Sequence, residues 1–127
     1  MESLRDKILI VDEVGFSRVC SALLENEGFD ARAVGHGHPD PLSTIGCRPG
    51  LVIASYPSDT AMLQDFKKHG LPMILLADHI SNDLLEVLEG LEKTYCMIKP
   101  LDYQKFRELV HSVMSGGRAD MGGYCIV

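Results

Sequence analysis

Four short runs in this chain are apolar almost without interruption: KILIV at Lys7–Val11, LVIAS at Leu51–Ser55, PMILLA at Pro72–Ala77 and YCMI at Tyr95–Ile98. Each has the length of a strand, and a strand that lacks polar alternation is one covered on both faces. Between the runs the apolar spacing changes to that of helices. Phe16, Val19, Cys20, Leu23 and Leu24 predict one helix, stopped at Gly28, and Met62, Leu63 and Phe66 another, stopped at Gly70. Leu84, Leu85, Leu88 and Leu91 mark a third, and Phe106, Leu109, Val110, Val113 and Met114 mark the last. Ser58 is placed to cap the second of these helices, Asp83 and Glu86 to form a capping box, and Asp102 to start the final helix. A weaker strand is predicted at Phe29–Val34.

Five strands alternating with helices imply a parallel sheet with helices on both faces. Right-handed crossovers then favour an α/β, flavodoxin-like, doubly wound five-stranded sheet of order 2-1-3-4-5. Gly35–Gly50 interrupts the pattern with four glycines, three prolines and two histidines. That segment has room for one short helix near Leu42–Ile45, so the second helix of the winding is expected to be shortened or irregular. Residues 1–115 read as one domain, and residues 116–127 as a Gly-rich mobile tail or linker.

Composition excludes several classes. The 127 residues are 46% hydrophobic and 24% charged, the balance of a soluble globular domain. A net charge of −6 offers no basic footprint for nucleic acid or an anionic membrane. No run approaches the roughly 18 apolar residues of a membrane span. The start, MESLRDKILIVDE, lacks the pattern of a cleavable signal, so a cytoplasmic location is expected. Cys20, Cys47, Cys96 and Cys125 form no CxxC pair and read as reduced thiols. His36, His38 and Cys47 lack a fourth ligand and a zinc spacing. The closing YCIV places its cysteine third from the end, where a prenylation signal needs it fourth.

Open α/β sheets gather their chemistry at the carboxyl ends of the strands. There this chain carries Asp12-Glu13, Ser55, Ala77 and Lys99-Pro100. The pieces ILIVDE, LVIAS, PMILLA and IKP, in this order and spacing, resemble a response-regulator receiver domain, the phosphoacceptor module of two-component signalling, over residues 6–115.

The resemblance implies a role for each position. The acidic pair Asp12 and Glu13 would help hold a magnesium ion, and Lys99 would pair with a phosphoryl group. Lys99-Pro100 would be joined by a cis peptide. Ser55 falls where the family has its phosphoaccepting aspartate, Ala77 where it has a hydroxyl, and Cys96 where it has a switching aromatic residue. Pro57 stands where a backbone carbonyl completes the metal site, and it keeps that carbonyl. The chain is therefore similar to a pseudo-receiver, a degenerate receiver that signals by protein contact. It is expected not to be an enzyme, and to hold no tight cofactor beyond weak Mg2+ at Asp12 and Glu13.

The implied partners are signalling proteins such as a histidine kinase or an output domain, or a second copy in a homodimer. The implied contact surface includes Glu89, Tyr95, Tyr103 and Arg107. Asp59 and Asp78 keep open an alternative, a working phosphorelay receiver with a substitute acceptor. Hydrolytic serine chemistry at Ser55 is disfavoured, since no histidine falls at the other strand ends and no G-x-S-x-G elbow is present. Flavin binding is disfavoured because DEVGFS, after the first strand, is acidic and has no phosphate-cradling loop. Lys99 is expected to reach Asp12 as an ion pair, with Ser55 beside it.

Overall fold

The computed structural model describes residues 7–12, 14–34, 49–56, 60–115 and 123–127. In chain order the elements are β1 (Lys7–Val11), α1 (Val14–Asn26), β2 (Asp30–Val34), β3 (Leu51–Ser55), α2 (Thr60–Lys68), β4 (Met73–Ala77), α3 (Asn82–Glu89), β5 (Thr94–Ile98), α4 (Tyr103–Met114) and β6 (Tyr124–Ile126). All pairings are parallel and the sheet order is β2-β1-β3-β4-β5-β6. The predicted 2-1-3-4-5 winding is present, extended by one short strand.

The apolar runs do what their lack of alternation requires. Every residue of β3 and of β4 is buried. On one side of the sheet Leu9, Val11, Val52, Ala54, Leu75 and Cys96 pack with Leu63, Phe66, Leu84 and Leu88 of α2 and α3. On the other side Ile8, Ile10, Ile53, Leu76 and Tyr95 pack with Cys20, Leu24, Phe106, Leu109 and Val110 of α1 and α4. Neighbouring residues along a strand thus serve opposite layers, as the pleat dictates.

Local signals set the helix limits. Gly28 (φ 95°) and Gly70 (φ 69°) take left-handed conformations just past α1 and α2, where a side chain would be strained. Asp102 caps α4, its carboxylate accepting from the backbone N–H groups of Gln104 and Lys105 at 3.0 and 3.2 Å. For α3 the cap is Ser81, whose hydroxyl accepts from the N–H of Leu84 at 3.1 Å. The helix begins one residue before Asp83, so the expected box of Asp83 with Glu86 is displaced by this earlier cap. Val19, expected in the core, is 52% exposed, because the buried stripe of α1 runs through Cys20 and Leu24 beside it.

The chain end differs most from expectation. Tyr124–Ile126, predicted to belong to a mobile tail, lie parallel to β5 as a sixth strand. Tyr, Cys, Ile and Val suit a pleated surface, and Gly123 (φ 74°) turns the chain into the strand. The Val127 N–H donates to the Cys96 carbonyl at 2.8 Å and the Thr94 N–H to the Gly123 carbonyl at 3.3 Å. The expected helix near Leu42–Ile45, Ser58, and His36, His38 and Cys47 lie outside the described residues. No helix among the described residues is long and apolar enough to cross a membrane.

Candidate functional site

Register assembles the site. Val11 of β1 stands beside Ala54 of β3, so the next residues, Asp12 and Ser55, come out side by side at the carboxyl edge. Ser55 in turn stands beside Leu76, and Ala77 beside Ile98, the residue before Lys99. Backbone bonds hold these ends together: the Tyr56 N–H donates to the Leu76 carbonyl at 2.6 Å and the Lys99 N–H to the Ala77 carbonyl at 2.7 Å. The Lys99–Pro100 peptide is cis, as the resemblance implied.

At this edge the Ser55 hydroxyl donates to Oδ2 of Asp12 and accepts from the Lys99 ammonium at 3.1 Å. Asp12 and Ser55 are buried, while Lys99 keeps partial access to solvent. A hydroxyl is the smallest side-chain group that both donates and accepts. One Ser55 oxygen therefore links the carboxylate to the ammonium across the end of β4, where Ala77 adds only a methyl group. Lys99 and Asp12 were expected to meet as a direct pair, and the hydroxyl between them gives that meeting a relayed form.

Phe16 was missed. It reads in the sequence as one residue of a core stripe, but the first turn of α1 brings its ring to 4.8 Å from Nζ of Lys99. A cation over a ring face gains about 0.5–2 kcal/mol. The available signal was position: a helix that begins right after the acidic pair carries its first turn over the end of β1.

Other predicted residues are placed as follows. Ala77 and Cys96 are buried, and burial pushes the Cys96 thiol above its ordinary range. The Cys20 thiol is pushed up to about 12 by burial and, secondarily, by the charge of Asp12. Both are therefore protonated at neutral pH. Asp78 is exposed in the turn after β4. Glu89 and Tyr103 are exposed and Arg107 is half-buried, which leaves these three available to a contact surface. Tyr95 is not available: at 1% exposure it lies beneath α4 among Phe106, Leu109 and Val110. The edge of β5 is covered by β6 as well, which removes that strand from the expected surface. Glu13, Pro57 and Asp59 lie outside the described residues.

Among the described residues the donors at this edge are fewer than a full magnesium cage takes. Magnesium takes near-octahedral oxygen ligands, with carboxylates among them. Of the two described positions that would carry carboxylates, only Asp12 does, and one of its oxygens accepts from Ser55. Among the described residues no three His, Cys, Asp or Glu side chains gather as a metal site.

No protein-family model and no curated protein sequence matches the chain. Solved structures do. The chemotaxis response regulator CheY4 of Vibrio cholerae superimposes with a TM-score of 0.71 at 15% identity, over 84% of this chain and 97% of that one. A two-component response regulator from Clostridium difficile gives 0.73 at 15% identity, over 86% and 95%. The signal receiver domain of a signal transduction histidine kinase from Syntrophus aciditrophicus gives 0.73 at 22% identity, over 87% and 90%. At such identities the likeness speaks for architecture: this chain has the receiver-domain fold, with a sixth strand added.

Proposed function

We propose that this chain is a receiver-like signalling module of a two-component system or phosphorelay that works by protein contact and takes up no phosphate at Ser55. The observation that carries the reading is the position of the Ser55 hydroxyl between Asp12 and Lys99. A nucleophile needs a free lone pair and a base strong enough to take its proton. Here the Ser55 oxygen accepts from the Lys99 ammonium, which lowers its nucleophilicity, and the carboxylate that holds its proton is a poor base for an alcohol. The fold and the strand-end residues support a receiver origin, and the neutral hydroxyl supports loss of the acceptor role.

On this reading the module has no catalytic activity of its own and holds no tight cofactor. Mg2+ binds weakly, through Asp12 together with Glu13. The partner is another signalling protein, a histidine kinase or an output domain in the cytoplasm, which meets the surface carrying Glu89, Tyr103 and Arg107.

The test is chemical. Incubation with acetyl phosphate and Mg2+ followed by intact-mass measurement is expected to show no added phosphoryl group. A hydroxylamine-sensitive label mapped to Asp59 or Asp78 would establish the substitute-acceptor alternative instead. Ser55→Asp returns a charged ligand to the edge and is expected to tighten Mg2+ binding by about tenfold or more in calorimetry. An unchanged affinity would show that Ser55 does not stand at the metal position.

A further inference from the structure

The two edges of the sheet are built differently. On β2, Asp30 and Arg32 form an ion pair at 3.3 Å, and Asp30 also meets Lys7 at 3.2 Å. Charges on an edge strand are a common guard against pairing with another chain. The other edge, β6 with its flanks Gly123–Val127, has no charged side chain at all. Ile126 and Val127 are 39% and 45% exposed, and Cys125 is exposed as well.

The backbone of β6 is divided between its two sides. Gly123 through its carbonyl and Val127 through its N–H bond to β5. Strand alternation then turns the N–H and C=O groups of Cys125 inward and those of Tyr124 and Ile126 outward. An antiparallel partner meets such a strand most fully when hydrogen-bonded pairs fall on the outward residues. A second copy does this by itself if Tyr124 of one chain faces Ile126 of the other. Each outward group then finds its partner in the same two residues of the copy, and Cys125 lies opposite its own counterpart.

We propose that β6 is a self-pairing edge, through which two copies join their sheets antiparallel with Cys125 on the two-fold axis. The occupant is a second copy because the strand complements itself in this register and brings no like charges together, whereas the charged β2 edge disfavours head-to-tail pairing of β6 with β2. The symmetry closes at two copies. Cys125 then forms a non-hydrogen-bonded pair, with Cα atoms about 4.5 Å apart. That spacing lies within the range of about 4.4–6.8 Å that a disulfide spans. The inference does not depend on the signalling reading, since it rests on the edge alone.

An interface built on so short a strand is weak, so the test is sedimentation velocity of the reduced chain at about 100 µM. A dimer is expected, which mild oxidation with diamide converts to a species linked Cys125 to Cys125 by peptide mapping. Cys125→Ser should still sediment as a dimer but resist linking. Cys125→Lys places like charges face to face, and Ile126→Pro removes one outward N–H while sparing the inward ladder; both should sediment as monomers. In the Cys125→Ser background, Tyr124→Cys and Ile126→Cys should link at least ten times more slowly than Cys125 does in the native chain. A native chain that is monomeric at this concentration would overturn the proposal. So would a dimer indifferent to both Cys125→Lys and Ile126→Pro, or faster linking at position 124 or 126.

Discussion

Strand β1 has a charge cluster at each end, and the two are handled in opposite ways. At its start Lys7 meets Asp30 directly, at 3.2 Å, with Arg32 on the carboxylate's other side and solvent around all three. At its finish Asp12 is buried, and a neutral hydroxyl relays it to Lys99. Exposed pairs are worth about 0–1 kcal/mol, because water and salt screen them. A buried carboxylate has lost its water and depends on what the protein supplies. The amino end of the sheet can therefore lose any one charge at little cost, whereas at the carboxyl end the loss of one group is felt by the other two.

Removing Lys99 breaks that contrast most sharply. Lys99→Met takes away the cation that Ser55 relays to buried Asp12 and is expected to cost about 3 kcal/mol in urea unfolding at neutral pH. Adding Asp12→Asn should restore most of that loss, since the buried charge goes with it. A single-variant cost below about 0.5 kcal/mol, the scale of an exposed pair, would mean that both ends of β1 behave alike. Ser55→Ala comes next. It deletes the bridging hydroxyl and keeps both charges, so Asp12 loses one hydrogen bond and Lys99 another; about 1–2 kcal/mol is expected. A neutral Ser55→Ala would show that Lys99 and Asp12 sustain each other without the relay.

The contrast also separates what the sequence made legible from what it concealed. The sheet could be read because LVIAS and MILLA have no polar alternation, and only a strand covered on both faces tolerates that. Asp12, Ser55 and Lys99 could be read as one site because each closes a strand or directly follows one, and register does the rest. The relay could not be read, since it depends on where a hydroxyl proton points rather than on residue order. Phe16 was hidden by its own spacing, which fits a core stripe whether or not the ring lies under an ammonium. Tyr95 illustrates a different limit. On a strand covered on both sides, neighbouring residues face opposite layers and both are buried, so sequence gives no sign of which lies near the surface. Strand β6 escaped for lack of length: three β-prone residues after a glycine-rich stretch carry no periodicity.

The smallest expected effect lies at the amino end, in acid. The hydrogen bond from Lys7, with a further one from Arg32, holds the Asp30 carboxyl below its ordinary range. A group whose folded value is depressed contributes stability that is fully present above its unfolded value, near pH 4, and is lost as pH falls through the folded one. Native chain and Asp30→Asn should therefore differ most above about pH 5 and converge towards pH 2. The difference should shrink further in 0.5 M salt, because Asp30 is 34% and Arg32 56% exposed. Melting temperatures across that pH range, at low and high salt, measure it directly. A gap that persists at pH 2, or that ignores salt, would mean that Asp30 acts through packing, and the amino end would then be no looser in its electrostatics than the carboxyl end it is compared with.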